Sequence, residues 1–350
     1  MGFAELSVQN VRCIESADLS LHSGCTLIWG GNGAGKTSLL EALYLLGRGR
    51  SFRTRRSEHL IRRGADRLTV FSRSETGLEY AGVEFDRHQG SQAKVNGTNL
   101  GSLAELTLTF PVQVIDPDIH KLVEEGGRRR RRWLDWIVFH VEPRFGDWWV
   151  RYGRALRQRN AALKVGTDAR PWEVEIVDLG ERISKARHAA VEALQPHWRQ
   201  VIAAVNCPEG DLHYARGWAS HLSLQEALDG SRKRDHLRQM TQVGPHRADV
   251  HIHILGKPAQ QVLSRGQQKL MAAALTLAQL RLLRDTSGVL PALLLDDPAA
   301  ELDAEHLAAF VREISRLGCQ LIVTSLQPEI PGFRMPDRVF HVEQGKVSPI

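Results

Sequence analysis

Polar and apolar residues alternate with a period of two over residues 4–11 and 17–21, and again over 67–73, 80–87 and 93–96. The first third of the chain is therefore expected to be rich in half-buried strands. Residues 26–29 and 291–295 are predominantly apolar and predict buried strands, while 110–115, 250–255 and 320–324 add three more. After 26–29 the period changes: Leu39, Leu40, Leu43 and Leu46 recur at helical spacing, as do Leu270, Ala273, Leu277, Leu280 and Leu283 in a longer amphipathic run. Asp116-Pro117-Asp118 predicts the start of a short helix, with a carboxylate as cap and proline at the first helical position. In the middle of the chain Phe145, Trp149, Tyr152, Leu156 and Leu163 mark one stripe, and Trp172, Ile176, Leu179, Ile183, Ala186, Ala190 and Leu194 mark a second. The intervening KVGTDAR reads as a turn, so the two stripes predict an antiparallel helical hairpin, a short coiled-coil-like arm.

The loop after the first buried strand carries the most specific chemistry. GGNGAGKTS, from Gly30 and Gly31 through Asn32, Gly33, Ala34, Gly35, Lys36 and Thr37 to Ser38, satisfies G-x-x-x-x-G-K-[ST] between a strand and a helix. Backbone N–H groups around Gly33–Lys36 would surround phosphates at a helix N-terminus, Lys36 would reach the β and γ phosphates, and Thr37 would ligate Mg²⁺. PALLLDD ends a buried strand in Asp296 and Asp297, the form of a Walker B element. Asp296 would hold the metal shell, and Asp297 would orient or deprotonate an attacking water. LSRGQQ, containing Ser264, Gly266 and Gln267, opens the long amphipathic helix. Its hydroxyl and N–H groups can meet a phosphate at a helix N-terminus, although Ser-x-Gly-Gln alone is also an ordinary cap. AAELD, ending at Asp303, follows the paired carboxylates.

Composition narrows the class. The 350 residues are 42% hydrophobic and 25% charged, with net charge +6 and pI near 9.3. That balance suits a globular protein with an acidic partner such as nucleic acid or a membrane surface. Cys13, Cys25, Cys207 and Cys319 form no C-x-x-C pair, so neither a zinc site nor a disulfide framework is expected, and a reduced cytoplasm suits them. No apolar run approaches the roughly 18 residues of a spanning helix, and residues 1–10 lack a signal-peptide core. Between Arg48 and Arg63 seven arginines face a single carboxylate, Glu58. Arg53, Arg55 and Arg56 are candidates for DNA phosphate contacts, with a solvated face as the alternative. Arg128–Arg132 encircle a helix, so some of them must face protein, and Asp135 on the next turn is a candidate partner. Seven of the eight tryptophans lie between Trp133 and Trp218, at spacings that favour core packing over base stacking.

LSRGQQ resembles the signature motif of the ABC ATPases, and its place one helix before the paired carboxylates, with AAELD as the D-loop, carries that resemblance. Lys36 and Ser264 are separated by most of the chain, with a helical hairpin between them and neither a long coiled coil nor a C-x-x-C hook. NGAGKTSLLEALYLLGRGRSFRT, VIDPDIHKLVEEGGRRRRRWLD, RQRNAALK, GPHRAD and LLLDDPAAELD together make the chain similar to the RecF family from end to end. The resemblance implies an α/β ABC-type P-loop ATPase head formed by both chain ends, residues 1–118 and 239–350, with residues 119–238 as the inserted helical arm. It implies ATP and Mg²⁺ as cofactors and a weak DNA-stimulated ATPase. It also implies an ATP-dependent homodimer on double-stranded or gapped DNA, nucleoid-associated in the cytoplasm, working with the recombination mediators RecO and RecR to load RecA. In such a dimer Ser264, Gly266, Gln267 and Asp303 would serve the partner subunit's nucleotide. Asp297 stands where many such ATPases carry Glu. The transporter switch histidine is replaced by Ser325 or Leu326, and the Q-loop position falls to Gln113, with Asp116 as rival. Arg12 matches an early family arginine and is either a nucleotide contact or a solvated residue. The alternatives are a transporter's ATPase subunit and a non-hydrolysing, nucleotide-gated scaffold.

Overall fold

The computed structural model describes residues 2–54, 56–101, 103–300, 303–330, 333 and 335–350. Strands β1 (Phe3–Val11), β2 (Ile14–Ser20) and β3 (Cys25–Trp29) lead into α1 (Lys36–Arg48). A meander of β4 (Arg67–Ser74), β5 (Tyr80–Asp86), β6 (Gly90–Val95) and β7 (Thr98–Asn99) follows, then the short α2 (Leu106–Thr109) and β8 (Val112–Ile115). Helices α3 (Lys121–Glu124), α4 (Gly127–Val141), α5 (Phe145–Val165) and α6 (Glu173–Ala204) precede β9 (Asp211–Ala215) and α7 (Leu224–Arg238). The remaining elements are β10 (Asp249–Ile254), β11 (Lys257–Pro258), α8 (Ala259–Val262), α9 (Arg265–Ser287), β12 (Ala292–Leu295), α10 (Ala304–Leu317), β13 (Leu321–Ser325), β14 (Arg338–Glu343) and β15 (Lys346–Pro349). None of the described helices is long and apolar enough to cross a membrane.

Alternation along the early strands does what it predicts. β1, β2 and β4 to β7 form one antiparallel sheet, in the order β2-β1-β4-β5-β6-β7, whose inward residues Leu6, Val8, Leu68, Val70, Val83 and Phe85 are buried. The apolar strands build a second sheet, β15-β14-β3-β13-β12-β8, parallel except for the β14–β15 pair. Its strands β3, β12 and β13 are covered on both faces, which is why their sequences show no alternation. Helix α1 packs between the two sheets and is buried nearly all round. At its end Gly47 makes that packing possible, because a Cβ there would collide with the Phe110 carbonyl oxygen and the Val112 side chain. Asp116–Asp118 form turns, and the short helix begins only at Lys121.

The two stripes form the expected antiparallel pair, α5 on α6, joined through Gly166 in the left-handed region. The pair is also docked along its length. α6 lies on α4, α9 and α10, and its buried residues belong to the same core as Leu270, Leu277, Phe310 and Ile314. β9 pairs with β10, so the small sheet β11-β10-β9 spans the expected boundary between the arm and the second half of the head. Trp133, Trp136 and Trp198 are buried in this core.

Buried charges fix how these helices meet. Arg159 is 1% exposed and donates to Glu173, Asp235 and Thr241, all buried. Arg187 donates to both carboxylate oxygens of Asp135 and to the Pro245 carbonyl, with its guanidinium 4.9 Å from the Trp149 ring centroid. Asp135 is thus hydrogen-bonded by a residue of α6, the helix packed against α4, with Arg131 of the 128–132 run adding a favourable charge nearby. Within that run Arg130 makes two bonds to Asp249, Arg131 donates to the Ala248 carbonyl and Arg129 pairs with Glu125. His246 bridges Tyr152 and the Thr241 carbonyl, and burial pushes its imidazole down to about 4, so GPHRAD is a structural corner.

Removing one member of a buried charge network leaves the others uncompensated, at a cost of about 3–5 kcal/mol. Arg159→Met is therefore expected to lower stability by about that amount, with Arg159→Lys recovering only part because the forked donor geometry is lost. Urea unfolding followed by far-UV circular dichroism measures this, and an unchanged midpoint in Arg159→Met would show that Arg159 does not hold Glu173 and Asp235.

Candidate functional site

The loop between β3 and α1 is shaped by its glycines. Gly35 caps α1 at φ 122°, a conformation closed to L side chains, and a Cβ there would sit 2.7 Å from Ile14 Cδ1. Gly345 N–H holds the loop from outside by donating to the Ala34 carbonyl. No acidic residue of α1 itself occupies its first turn, so the positive end of the helix dipole faces the cleft. Lys36 Nζ folds back over the loop, donating to the carbonyls of Gly30 at 2.8 Å and Gly31 at 2.9 Å. Its pKa is lowered by burial, against the opposing pull of Asp297 and Asp296.

The paired carboxylates arrive from the other end of the sequence. Asp296 accepts from Thr37 Oγ1 at 2.9 and 3.1 Å and from Thr324 Oγ1 at 2.8 Å. Asp297 turns out of β12 at φ 49°, and its N–H donates to Thr324 Oγ1. Asp116 and Asp118 complete an acidic wall opposite Lys36 around a cleft of about 510 Å³. Asp116 is pushed up to about 6, first by burial and then by Asp118 and Asp296. A hydroxyl beside a carboxylate is a hard-oxygen donor set of the kind Mg²⁺ takes when phosphates and waters supply its other ligands. Thr37 and Asp296 fit that role, and such an ion would there neutralise charge between adjacent phosphate groups.

Several expected residues fall elsewhere. Gln113 does not line this cleft. Its amide donates to Gln279, which in turn donates to the Trp133 carbonyl, a buried polar clasp between β8, α9 and α4. Of the two Q-loop rivals, only Asp116 lines the cleft. Ser264 caps α9, and its capping box with Gln267 uses that glutamine's side chain on the Ser264 N–H. Ser264, Gly266 and Gln267 are exposed and apart from this chain's own phosphate loop. Asp303 caps α10 and pairs with His306. Ser325 is buried at the end of β13, while Leu326 is exposed; Thr324 is the residue of that strand that meets the carboxylates. Arg55, Glu301 and Leu302 lie outside the described residues.

One residue that braces the phosphate-loop helix is not among those expected from the motifs. Glu41, on α1, has a fully buried side chain that accepts two 3.0 Å bonds from Arg12, a short bond from Ser51 and a 3.8 Å ion pair from Arg53. Arg12 is thereby clamped to the phosphate-loop helix rather than free in solvent. The signal was available, since Glu41 is the one carboxylate in TSLLEALYLL, and a charge on an all-buried helix requires partners.

Beside the first cleft lies a second, of about 580 Å³, lined by Arg48, Arg50, Arg53, Arg128, Arg129 and Arg132. Two arginine clusters distant in sequence thus face one another, and Phe52, Arg53 and Asp116 border both clefts. Arg48 stands over the rings of Tyr44 and Trp136. Arg56 is exposed and lines neither cleft.

The model of the RecF/RecN/SMC N terminal domain matches residues 3–348. The DNA replication and repair protein RecF of Shewanella pealeana is 36% identical over 360 residues, covering 100% of both chains. That of Pseudomonas paraeruginosa is 38% identical, covering 99% of this chain and 98% of its own. A solved structure of the recombination mediator protein RecF-ATP in the RecFOR pathway superposes with a TM-score of 0.89 at 26% identity, covering 100% of this chain and 97% of its own. An Smc head bound to the C-winged helix domain of ScpA shares the fold, with a TM-score of 0.59 at 16% identity. With an ABC-type ATPase head and full-length likeness to these relatives, the chain belongs to the RecF family.

Proposed function

We propose that this chain binds ATP with Mg²⁺ and closes as a homodimer on duplex or gapped DNA during replication and repair. Hydrolysis then releases it, and RecO and RecR are its partners. The observation that carries this reading is the Thr37–Asp296 contact, which joins the phosphate loop to a carboxylate distant in sequence and pairs two oxygen donors suited to Mg²⁺. The likeness to RecF-ATP of the RecFOR pathway, and to replication and repair proteins, supports it. In this scheme Lys36 leaves the Gly30 and Gly31 carbonyls for the β and γ phosphates. Thr37 and Asp296 hold the metal, and Asp297 orients the attacking water. The exposed Ser264 turn, at the N-terminus of α9, approaches the γ-phosphate held by the partner subunit. The second cleft and the exposed arginines around it supply a positive surface for DNA phosphates.

Asp297→Asn is expected to keep ATP affinity while slowing turnover by about 10²–10⁴-fold, because an amide keeps the shape but cannot accept the water's proton. Phosphate release and nucleotide binding measured together check this, and wild-type turnover would remove Asp297 from the chemistry. Lys36→Ala should instead weaken binding itself, since the lost charge faces phosphates in ground and transition states alike.

Ser264→Arg should leave ATP binding by the monomer nearly intact while blocking ATP-induced dimerisation and hydrolysis. Mixing it with Lys36→Ala restores one composite site per heterodimer, so partial activity should return. Light scattering establishes that the heterodimer forms, and no recovery in its presence would count against a shared site.

Neutralising Arg53, Arg55 and Arg56 together should weaken DNA binding and flatten its salt dependence by roughly 0.9 for each DNA phosphate that is no longer neutralised. Arg53 borders the nucleotide cleft and pairs with Glu41, so its single replacement should also change ATP affinity, whereas Arg56 should change the slope alone. Fluorescence anisotropy across a salt series reads both. An unaltered slope in the triple variant would make these arginines a solvated face.

A further inference from the structure

Among the described residues no carboxylate pairs with Arg48, Arg50 or Arg128, which line the second cleft from two segments distant in sequence. Arg48 is the most confined of the three. It is half-buried, donates to the Tyr44 hydroxyl at 3.3 Å, and otherwise lies over the rings of Tyr44 and Trp136. Ring faces attract a guanidinium but leave most of its five N–H donors without an acceptor. The phenol of Tyr44 reports the local field: burial acts to raise its pKa, yet Arg48 and Arg50 bring it below the ordinary value. The N-terminus of α4 borders the same cleft through Arg128, its second residue. No side chain caps that helix and no acid lies in its first turn, so the positive end of its dipole adds to the arginines. Of the two carboxylates on the wall, Glu125 pairs with Arg129, and Asp116 stands on the side shared with the nucleotide cleft.

We propose that the interior of this cleft is a binding site for a small phosphorylated molecule, which presents a terminal phosphoryl group of charge about −1.5 to −2 to Arg48, Arg50 and Arg128. The inference goes beyond the reading of the surrounding surface as a DNA contact and does not rest on it. A duplex can lie over the mouth but cannot enter a space of about 580 Å³. That volume falls within the roughly 300–1,000 Å³ of small-molecule sites. The phosphodiesters of a DNA backbone carry a single charge each. A terminal phosphoryl group carries more charge and offers three oxygens, which suits planar guanidinium forks arriving from two walls. Tyr44, Phe52 and Trp133 line the same space and give the rest of the molecule an aromatic surface.

Because the phosphate loop also attracts phosphates, the test is calorimetric titration of inorganic pyrophosphate, without Mg²⁺, into the full chain carrying Lys36→Ala. The expected result is one saturable site of micromolar affinity. In that background Arg50→Ser and Arg128→Ser, both at exposed positions, should each weaken binding by about tenfold, and Arg48→Met by at least as much. Far-UV circular dichroism checks the fold, and where Arg48→Met loses it the two exposed variants decide. Dimethyl phosphate, a singly charged diester, should bind at least about tenfold more weakly than pyrophosphate. ADP that binds more tightly than pyrophosphate, with the same sensitivity to Arg50→Ser and Arg128→Ser, identifies the ligand as a nucleotide; otherwise the phosphoryl group alone is read. The proposal is overturned if pyrophosphate shows no saturable binding up to about 1 mM, if its binding is unchanged by all three arginine substitutions, or if dimethyl phosphate matches it, which would make the cleft a reader of backbone diesters.

Discussion

The pair of hydroxyl hydrogen bonds accepted by Asp296 is the interaction on which the site depends. One carboxylate, nearly buried at the end of β12, receives Thr37 from α1 and Thr324 from β13. Without those donors it would be a poorly solvated charge, which folded proteins do not tolerate unpaired. With them it becomes the joint that sets the height of the phosphate loop against two neighbouring strands. The same Thr324 hydroxyl receives the N–H of Asp297, so the second carboxylate inherits its position from the first. The left-handed backbone at Asp297 is the strain that accompanies turning that side chain out of the sheet and toward the cleft.

What could be read in the sequence was whatever lies in a contiguous string. The phosphate loop, the apolar strand ending in Asp296-Asp297 and the Ser264 cap are each written in fewer than ten residues. The alternating strands declare which face is buried because one side of their sheet is wet. Pairings between helices were not legible. Asp135 meets Arg187 because α4 and α6 pack against each other, a fact carried by tertiary geometry and by no local spacing. Glu41 with Arg12 and Arg53 is hidden for the same reason, although an isolated carboxylate in an apolar helix announces that a partner exists. Gln113 and Asp116 lie three residues apart, the first on β8 and turned inward to Gln279, the second just past the strand and at the cleft, a difference that pattern alone does not show.

The arginine-rich segments illustrate how composition misleads when counted without structure. Five consecutive arginines beginning at Arg128 divide their labour. Arg130 and Arg131 tie α4 to the approach of β10, whereas Arg128, Arg129 and Arg132 border the second cleft opposite Arg48, Arg50 and Arg53. A bulk count of positive charge would assign all of them to one partner. The aromatic residues beneath, Tyr44 and Trp136, show why Arg48 can stay close to the core without a carboxylate: its guanidinium lies over their rings.

The place of β3 in its sheet has a consequence for how the chain is made. Its neighbours are β13 and β14, both near the far end of the sequence, while β8 waits for β12. A ribosome that has released the first third of the chain has delivered every strand of the antiparallel sheet but only two strands of the parallel one, and these two do not pair with each other. At about 5–20 residues per second, the apolar strand that carries the phosphate loop remains unpaired for tens of seconds. Throughout that interval it presents open edges of the kind that template association with other chains. The emerging chain therefore needs cover for β3 until the last strands arrive, and substitutions that slow their arrival will act on yield before they act on activity.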